Sequence, residues 1–216
     1  MSCPLCLSEA AKLYFEREDS RYGQRVYFLC DVCGLVFLKP ALRLDADAEK
    51  ARYDSHQNNP ADEGYRDFLR RLADPLIEKL NKGDQGLDFG CGPGPTLSLI
   101  LSEHGFETEN YDPFYFPESE LLERSYDFVI STEVVEHLYH PREVFLKLDQ
   151  LIKTNGYLGI MTQILDHPDR FANWWYHRDP THVCFYQKET FHWIAGWRQW
   201  NVEFPRKNVV IYKKTA

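Results

Sequence analysis

The sequence predicts an α/β protein in which a small cysteine-rich ribbon precedes a domain built on a mostly parallel sheet. Three observations predict this class. Strand and helix patterns alternate after residue 84, a glycine loop separates the first of these strands from the next helix, and four of the six cysteines form two close pairs before residue 34. A chain of 216 residues can bury one substantial core with a small unit beside it.

We expect three regions along the chain. They are the ribbon at 1–40, a helical linker or lid at 41–83, and the α/β domain at 84–216. In the linker, a polar stretch over 45–62 predicts a short helix and a loop. Tyr53 and His56 there either close a lid over a ligand or lie on a solvated helix face. An amphipathic helix that packs on the α/β domain follows, because apolar residues recur at helical spacing: Tyr65, Phe68, Leu69, Leu72, Leu76 and Leu80.

Within the α/β domain, short apolar runs predict strands and a 3.6-residue periodicity predicts helices. The predicted strands cover 86–89, 107–111, 126–131 and 157–162, and the predicted helices cover 96–104 and 141–153. Asn155-Gly156 is expected to turn the chain from the second helix into the strand at 157. Near the C-terminus, 200–204 and 209–212 predict an antiparallel strand pair joined by residues 205–208.

The composition and charge disfavour several classes of protein. The hydrophobic fraction is 44% and the charged fraction is 27%, which is typical of globular domains. The net charge of −8 disfavours a role in holding long nucleic acid, because such proteins usually carry a basic face. No apolar run approaches the roughly 20 residues that a bilayer span needs. Met1-Ser2-Cys3-Pro4 does not begin a secretion signal, so we expect a cytoplasmic protein that does not bind membranes.

The paired cysteines predict a metal site. Cys3 and Cys6 form one C-x-x-C pair, Cys30 and Cys33 form a second, and the 23 residues between the pairs are enough for a hairpin. Gly34 can adopt the positive φ that the turn after such a pair often needs. We expect structural zinc, with iron on the same sulfurs as an alternative. Disulfides are disfavoured in a reducing cytoplasm, and a redox pair would not need a second copy. The two remaining cysteines are expected to be buried small residues: Cys91 and Cys184.

A glycine loop after the first strand of the α/β domain predicts a binding site for a small ligand. Gly90, Gly92 and Gly94 leave the backbone open where a helix N-terminus offers free N–H groups. The spacing differs from the G-x-G-x-x-G dinucleotide fingerprint, because the third glycine comes one residue early. Asp88, two residues before the loop, suits a positively charged group such as an amino-acid ammonium rather than a pyrophosphate.

A second carboxylate predicts the other half of this ligand. Asp112 lies 20 residues beyond Gly92, at the end of the next predicted strand, where a carboxylate can accept both hydroxyl groups of a ribose. S-adenosylmethionine is a ligand that carries both a ribose and an amino-acid ammonium. The alternative is an α/β domain with an incidental glycine turn.

Three segments resemble motifs of the class I S-adenosylmethionine-dependent methyltransferases. The first motif of that family is similar to Leu87-Asp88-Phe89-Gly90-Cys91-Gly92-Pro93-Gly94. Residues 126–138 resemble its fourth-strand motif, and residues 151–158 resemble the segment that leads into its fifth strand. The motifs occur in the expected order and span roughly 85–215. The resemblance therefore implies a Rossmann-like fold of the class I type and an enzyme that transfers methyl groups.

The resemblance also implies roles for individual residues. The implied cofactor contacts are Asp88, Gly90, Gly92 and Gly94 at the methionine end, Asp112 at the ribose, Phe114 over the adenine, and Thr132 and Glu133 beside the sulfonium. One departure from the family is visible. Only 13 residues separate Asp112 from Tyr126, and they include Pro113 and Pro117. The family normally has a helix and a strand in that place, so we expect the strand to be trimmed or lost.

Two stretches carry the candidate catalytic groups, because methyl transfer aligns an acceptor with the sulfonium and often uses a general base. The stretch at 133–137 includes Glu133 and His137, and the stretch at 174–186 includes His182. The second stretch is rich in aromatic residues, which suit the walls of an acceptor pocket. Glu133, His137 and His182 are the candidate catalytic residues. The alternative for both histidines is ordinary packing.

The same region resembles a metal site. Glu133, Glu136, His137 and His182 resemble the divalent-cation set of some methyltransferases, including small-RNA 2′-O-methyltransferases and a ubiquinone-pathway O-methyltransferase. Such ligands can hold Mg²⁺ or a softer ion and polarise a hydroxyl group. Many relatives carry the Glu-x-x-Glu-His pattern without a metal, so both interpretations stay open.

The resemblance leaves the methyl acceptor and the oligomeric state open. We expect a small-molecule acceptor, such as a sugar, a quinone or a related metabolite, methylated at an oxygen, nitrogen or carbon atom. Zinc-ribbon methyltransferases of sugar biosynthesis look similar over the first forty residues but usually carry a further C-terminal domain. An RNA methyltransferase is the alternative, since one ribosomal RNA family also begins with a Cys-Pro-Leu-Cys knuckle, although with a histidine-type ligand arrangement that is not matched here. A non-catalytic cofactor-binding protein is a further alternative.

Overall fold

The N-terminal segment folds as a three-stranded antiparallel ribbon. The structure is a computed structural model that describes residues 1–54 and 59–215. Strands β1 (Ala11–Asp19) and β2 (Gly23–Cys30) form a hairpin, and β3 (Val36–Leu38) pairs with the C-terminal part of β2. The cysteine pairs lie before β1 and at the turn between β2 and β3, so the predicted ribbon is confirmed.

Two helices connect the ribbon to the main domain. Helix α1 (Ala46–Tyr53) begins at Asp45, whose carboxylate accepts a backbone N–H of its first turn. Helix α2 (Glu63–Ile77) packs so closely on the main sheet that a Cβ on Gly159 would lie 2.9 Å from the Leu72 side chain. Both predicted helices are therefore present. Over the described residues, no helix combines the length and the apolar character that crossing a membrane requires.

A six-stranded sheet forms the main domain. Its elements and the short strand β8 follow one another as β4 (Gly86–Phe89), α3 (Thr96–Glu103), β5 (Thr108–Tyr111), β6 (Tyr126–Thr132), α4 (Pro141–Leu151), β7 (Ile152–Met161), β8 (Cys184–Phe185), α5 (Lys188–Arg198), β9 (Trp200–Arg206) and β10 (Val209–Lys214). The sheet order is β5-β4-β6-β7-β10-β9. Neighbours from β5 to β7 are parallel, and β10 is antiparallel to both β7 and β9. The predicted fold class is confirmed.

Two apolar cores lie on the two faces of this sheet. Side chains of β6 alternate between them, because successive residues of a strand point to opposite faces. Phe128 and Ile130 pack with apolar residues of α2 and α3, whereas Val129 belongs to the core that α4 and α5 cover. This second core continues into the ribbon, where it includes Tyr27 and Phe37.

A short strand of the main domain completes the sheet of the ribbon. Strand β8 pairs antiparallel with β3, which places Val36 opposite Phe185 and Phe37 opposite Cys184. The Leu38 N–H also donates to the carbonyl oxygen of Val183 at 2.9 Å. The expected boundary at residue 40 stays a prediction, and the ribbon shares one sheet with the segment 174–186.

One predicted helix ends earlier in the structure, and one predicted turn lies inside a strand. The helix predicted over 141–153 ends at Leu151, because Ile152 already pairs with β6. Asn155-Gly156 lies inside β7 as an irregularity at which the register with β6 shifts, and Asn155 has a φ of 67°. A Cβ on Gly156 would lie 2.6 Å from the carbonyl oxygen of Asp127. Both flanks of Asn155-Gly156 pair with the same strand, so sheet pairing overrides the local turn preference.

The segment between β5 and β6 contains an isolated bridge from Asp112 to Phe116 and a short 3₁₀-helix at Ser119–Glu123. No strand of the sheet comes from this segment, all of which the structure describes. Strand β5 is therefore an edge strand, and the expected loss of a strand is confirmed. At the other edge, β9 extends to Arg206 rather than ending before Pro205, which an edge strand tolerates.

Candidate active site

A cavity of about 690 Å³ opens at the carboxyl ends of β4, β5 and β6. Open α/β sheets bind ligands at this edge, and small-molecule sites have volumes of roughly 300 to 1,000 Å³. The loops after these strands, helices α1 and α2, and residues 175–182 surround it. The predicted site residues that line the cavity are Asp88, Gly90, Gly92, Asp112, Phe114, Thr132, Glu133, Glu136, His137 and His182.

The glycine loop after β4 has a conformation that side chains would obstruct. Gly90 and Gly92 have positive φ values of 81° and 66°. A Cβ on Gly90 would lie 2.6 Å from the Val134 side chain. Gly94 lies outside the cavity lining, and its carbonyl oxygen accepts the Thr96 N–H at 2.7 Å where α3 begins. Two of the three predicted glycines therefore reach the cavity, and the contact of Gly94 with a cofactor stays a prediction.

Asp88 is a buried carboxylate in the cavity wall. It is 3% exposed, and burial together with the charge of Asp112 raises its pKa to about 7. A carboxylate in such a place is strongly stabilised by a cation that binds beside it. An amino-acid ammonium group would supply that cation.

Asp112 is held in one orientation by three backbone N–H groups. Its Oδ1 accepts the N–H groups of Phe114 at 2.8 Å and Tyr115 at 3.2 Å, and its Oδ2 accepts that of Gly92 at 3.1 Å. The carboxylate thus joins the glycine loop to the end of β5. Phe114 is 38% exposed, and its ring lies beside that of Tyr53 at 5.9 Å between centroids. These two rings form an aromatic wall of the cavity.

Thr132 and Glu133 present buried oxygen atoms to the cavity. In the described part of the chain, neither Thr132 Oγ1 nor Glu133 Oε1 has a hydrogen-bond partner. A buried polar group without a partner costs about 1 to 3 kcal/mol. Glu133 also has a φ of 52°, in the left-handed region, and burial next to Glu136 raises its pKa to about 9. Ligand atoms that meet these oxygens would remove the cost.

Two histidines of the cavity lining, His137 and His182, are in edge-to-face contact at 4.8 Å between ring centroids. His137 Nδ1 lies 3.2 Å from the carbonyl oxygen of Thr181, and His182 Nδ1 lies 2.7 Å from that of Tyr176. A carbonyl oxygen can only accept, so each Nδ1 carries a hydrogen, and in the neutral ring the lone pair is on Nε2. Burial lowers the pKa of His137 to about 4, which keeps this ring neutral. Each Nε2 can therefore act as a base or as a metal ligand.

Glu136 lies beside these histidines in the lining of the cavity. It is fully buried and accepts the Thr162 hydroxyl at 2.9 Å and the Tyr176 hydroxyl in a short hydrogen bond. One ligand atom each of Glu136, His137 and His182 lies within 4.8 Å of the others. The fourth predicted member, Glu133, is outside this group, and its carboxylate instead lies 3.4 Å from the Tyr176 hydroxyl.

The cavity and the fold agree with a comparison to known families. A family model described as a methyltransferase domain matches residues 54–203, more than half of the chain. The chain belongs to the class I S-adenosylmethionine-dependent methyltransferases. No curated protein matches the sequence.

Solved structures are similar to this methyltransferase at low sequence identity. A SAM dependent methyltransferase from Archaeoglobus fulgidus is 21% identical, with a TM-score of 0.53 over 79% of this chain and 100% of that one. The PH0226 protein from Pyrococcus horikoshii OT3 is 15% identical, with a TM-score of 0.53 over 76% and 99%. An O-methyltransferase family protein from Burkholderia thailandensis is 16% identical, with a TM-score of 0.48 over 78% of this chain. The methyltransferase spans 63% of the length of that protein.

Helix α1 covers one side of the methyltransferase cavity. The Tyr53 ring meets the His137 ring edge-on at 5.2 Å between centroids. The neighbouring Arg52 donates from Nη2 and Nε to the Asp179 carboxylate, at 2.6 and 3.1 Å. These contacts connect α1 to the opposite wall, as a lid would require. His56, the other residue of the predicted lid, lies outside the described residues.

The aromatic stretch at 174–186 forms the cavity wall only in part. Trp175, which is 62% exposed, and Tyr176 line the cavity, whereas Trp174, Phe185 and Tyr186 pack in or against the core. The motifs in the sequence do not predict the role of Tyr176 or that of Thr162. The usable signal for Thr162 is its place just after β7, since the carboxyl ends of parallel strands meet at one edge of the sheet.

The four paired cysteines come together at one end of the ribbon. The Cys3 and Cys33 sulfurs lie 3.6 Å apart, those of Cys6 and Cys30 lie 3.4 Å apart, and all four lie within 4.8 Å of one another. Four sulfurs at 2.3 Å from one tetrahedral zinc ion are about 3.8 Å apart, so the arrangement fits zinc. None of the six cysteines is in a disulfide, and sulfurs 3.4 to 3.6 Å apart are farther than the roughly 2.05 Å of such a bond, which disagrees with the disulfide alternative.

The surroundings of the cysteines support a folded metal knuckle. Gly34 has a φ of 72°, as predicted, and its N–H donates to the carbonyl oxygen of Cys30 at 2.9 Å. Three of the four sulfur-bearing residues are buried, so a site there is closed to substrates. The two other cysteines are buried away from this cluster, as predicted: Cys91 and Cys184.

Proposed function

We propose that this methyltransferase methylates a small molecule, at an oxygen, nitrogen or carbon atom of a sugar, a quinone or a related metabolite. The observation that carries the proposal is the acidic lining of the cavity near the histidines, where Glu49, Glu133, Glu136 and Asp179 lie. Among the described residues of the lining, Arg52 is the one arginine, and it is paired with Asp179. A nucleic-acid acceptor would bring phosphates against these carboxylates.

The cofactor contacts in this proposal use the buried carboxylates on the other side of the cavity. Asp88 accepts the ammonium group, and Asp112 accepts the ribose hydroxyls near the glycine loop. Thr132 and Glu133 lie beside the sulfonium, where their unpartnered oxygens face its positive charge. Phe114 covers the adenine from the rim. S-adenosylmethionine, when bound, supplies an electrophilic methyl group on this sulfonium.

The acceptor is held between the two histidines and the aromatic residues of the lid and the far wall. Nε2 of His182 or His137 takes the proton from the acceptor atom as that atom attacks the methyl carbon, and the sulfur leaves with the electron pair of the broken bond. The Thr181 and Tyr176 carbonyls keep the histidines in the required tautomer. Tyr53 and Trp175 exclude water from this end of the cavity.

A second version of the same proposal adds a divalent cation to the active site. Glu136, His137 and His182 supply one carboxylate oxygen and two ring nitrogens, a set that suits a transition metal or zinc better than Mg²⁺. Each histidine also has the backbone hydrogen bond at Nδ1 that metal-ligating histidines commonly make. In this version the three side chains would hold the ion, the ion would supply a Lewis acid for an acceptor hydroxyl, and the four cysteines would hold a separate structural zinc.

A binding experiment tests the cofactor side. Calorimetry should detect S-adenosylhomocysteine binding to the folded, metal-loaded protein. Asp112→Ala should weaken it at least tenfold, because loss of a buried, multiply bonded carboxylate costs about 1.5 to 3 kcal/mol. The exposed variant Asp67→Asn serves as the control. A folded wild-type protein that does not bind would contradict the proposal.

A labelling experiment tests the class of acceptor. Extract from a strain that lacks the protein is separated into total RNA and a small-molecule fraction, and each is incubated with the enzyme and methyl-labelled S-adenosylmethionine. Label in the small-molecule fraction is expected. Label confined to RNA would favour the RNA methyltransferase instead. Comparing the reaction with and without an added divalent cation separates the two versions of the active site, because only the cation version gains activity from the added ion.

A further inference from the structure

A buried arginine of the ribbon donates hydrogen bonds to two segments that lie next to cavity-lining residues. Arg25 lies on β2 and is 1% exposed. Its guanidinium donates to the carbonyl oxygen of Pro180 at 2.9 Å and to that of Leu42 at 2.8 Å. Pro180 lies within residues 175–182, of which Asp179 and His182 are among those that line the cavity, and Leu42 precedes α1. One side chain of the ribbon therefore bonds both to the loop at 175–182, which contains His182, and to the segment that precedes α1.

The chemistry of this contact requires an arginine. Burying a charged side chain is costly unless hydrogen bonds replace its lost water. A guanidinium presents its N–H groups in a rigid planar fork, so Arg25 can bond two carbonyl oxygens in fixed directions at once. A lysine offers one flexible point of charge, and a methionine of similar length offers no donor.

The loop that Arg25 holds is also the loop that orients the two histidines. The carbonyl oxygen of Tyr176 lies 2.7 Å from His182 Nδ1, and that of Thr181 lies 3.2 Å from His137 Nδ1. These two carbonyls determine which ring nitrogen carries the hydrogen. A small rotation of the loop backbone would break either hydrogen bond.

Other carbonyls of the same loop point to the ribbon. His177 presents its carbonyl oxygen to the Tyr27 hydroxyl at 3.3 Å and to Arg17 Nη2 at 3.4 Å, and Pro180 presents its carbonyl oxygen to Arg25. Within residues 176–182, two carbonyls thus bond to the histidines of the site and two bond to the ribbon. The ribbon and the histidines thus bond to one short segment of backbone.

We infer that Arg25 is a positioning residue of the methyltransferase, through which the ribbon sets the tautomer and the orientation of His137 and His182. The inference rests on the proposed function, because it assumes that the two Nε2 atoms face the acceptor. The ribbon then contributes to the geometry of methyl transfer, beyond the folding role that its cysteines indicate.

The test uses the full-length, metal-loaded protein saturated with S-adenosylhomocysteine. Arg25→Met removes the donors, and Arg25→Lys keeps the charge without the fork. Arg142→Met is the matched control, because Arg142 also donates to a ribbon carbonyl, that of Leu5 at 3.2 Å, but from α4. Nitrogen-15 NMR of the histidine rings reports the tautomers, and hydrogen exchange of amides 176–183 reports the order of the loop.

In Arg25→Met we expect signals of the Nε2–H tautomer for the active-site histidines. Exchange at 176–183 should be about 10 to 100 times faster, the range expected when hydrogen bonds from a charged donor are lost. The dissociation constant of S-adenosylhomocysteine should change less than about twofold. Arg25→Lys should be intermediate, and Arg142→Met should resemble the wild type in both measurements.

Three results would overturn the inference. The first is wild-type histidine signals and wild-type exchange in Arg25→Met. The second is that Arg142→Met shows the tautomer and exchange changes expected for Arg25→Met. The third is uniformly faster exchange along the whole chain in both Arg25 variants, since that marks a role in folding alone. Should Arg25→Met fail to fold, the same readouts on Arg25→Lys decide. Failure of the proposed function is distinguished by wild-type protein that does not bind S-adenosylhomocysteine.

Discussion

At the scale of single residues, burial changes the proton affinity of two carboxylates in the cavity lining, Asp88 and Glu133. It raises the pKa of Asp88 to about 7 and that of Glu133 to about 9. Both groups therefore favour a positive charge beside them. In the proposed binding mode, the ammonium and the sulfonium of the cofactor are the two cations that they meet.

The raised pKa of Asp88 predicts that cofactor affinity depends on pH. Below about pH 7 the free protein holds a proton on Asp88, and an arriving ammonium group must displace it. The affinity for S-adenosylhomocysteine should therefore fall about tenfold from pH 8 to pH 6. Calorimetry in two buffers of different ionisation enthalpy should also detect proton release near pH 6.

The matched variants identify the group that titrates. Asp88→Asn should bind weakly, and its affinity should not change between pH 6 and pH 8. Asp67→Asn, on the exposed face of α2, should keep the pH dependence of the wild type. A pH dependence that survives in Asp88→Asn would contradict the assignment of the titrating group.

Removal of one active-site histidine should separate binding from turnover. His182→Ala should leave the affinity for S-adenosylhomocysteine unchanged, because this side chain faces the acceptor end. It should lower kcat about 100-fold or more with the acceptor recovered from the labelling experiment, as expected for loss of a general base. His192→Ala, an exposed histidine of α5, should change neither quantity. Lost binding with unchanged turnover would reverse our assignment.

At the scale of elements, the contribution of the loop between β4 and α3 to cofactor binding can be tested with two glycines of similar conformation. Gly90 lies in this loop, and Gly105 lies after α3. Gly90 and Gly105 have φ values of 81° and 86°, but only at Gly90 would a Cβ clash, 2.6 Å from the Val134 side chain. Gly105→Ala should lower the free energy of unfolding by about 1 kcal/mol through backbone strain alone.

Gly90→Ala should cost more stability than Gly105→Ala and should also weaken S-adenosylhomocysteine binding about tenfold or more. The reason is that Val134 must move, and Val134 follows Glu133 in the cavity wall. Chemical denaturation and calorimetry on both variants measure the two effects. Equal binding by both variants would show that the glycine loop does not contact the cofactor.

At the scale of the whole molecule, the shared sheet predicts that the metal stabilises the main domain as well as the ribbon. Because β8 pairs with β3 and one core runs through both, loss of the metal should lower a single unfolding transition. We expect a fall in Tm of about 5 °C or more, since 1 kcal/mol shifts Tm by roughly 2 to 4 °C in a chain of this size. Calorimetry of the purified protein with and without a chelator measures this.

Elemental analysis identifies the ion and its ligands. The purified protein should contain structural zinc, and Cys33→Ser should lose it, because Cys33 belongs to the four-sulfur cluster. Cys91→Ser should retain it, since Cys91 is buried elsewhere. Iron in place of zinc would revise the identity of the ion. Two separate unfolding transitions would contradict the coupling of the ribbon to the main domain.

The features that the sequence determined by itself are those that depend on neighbouring residues. Periodicity predicts the strands and helices, because burial on one face recurs with the period of the element. The glycine spacing at 90–94 and the C-x-x-C pairs likewise act within a few residues. The missing strand follows from the short connection between Asp112 and Tyr126, which has no room for it.

The tertiary structure alone decided which distant residues meet. His137 and Thr181 are 44 positions apart, Arg25 and Pro180 are 155 apart, and no local pattern indicates either contact. The same holds for β8, whose two residues become a strand only because β3 offers an unpaired edge. The physical reason is that a hydrogen bond between distant segments depends on the path of the whole backbone, whereas periodicity and turn preferences depend on adjacent residues.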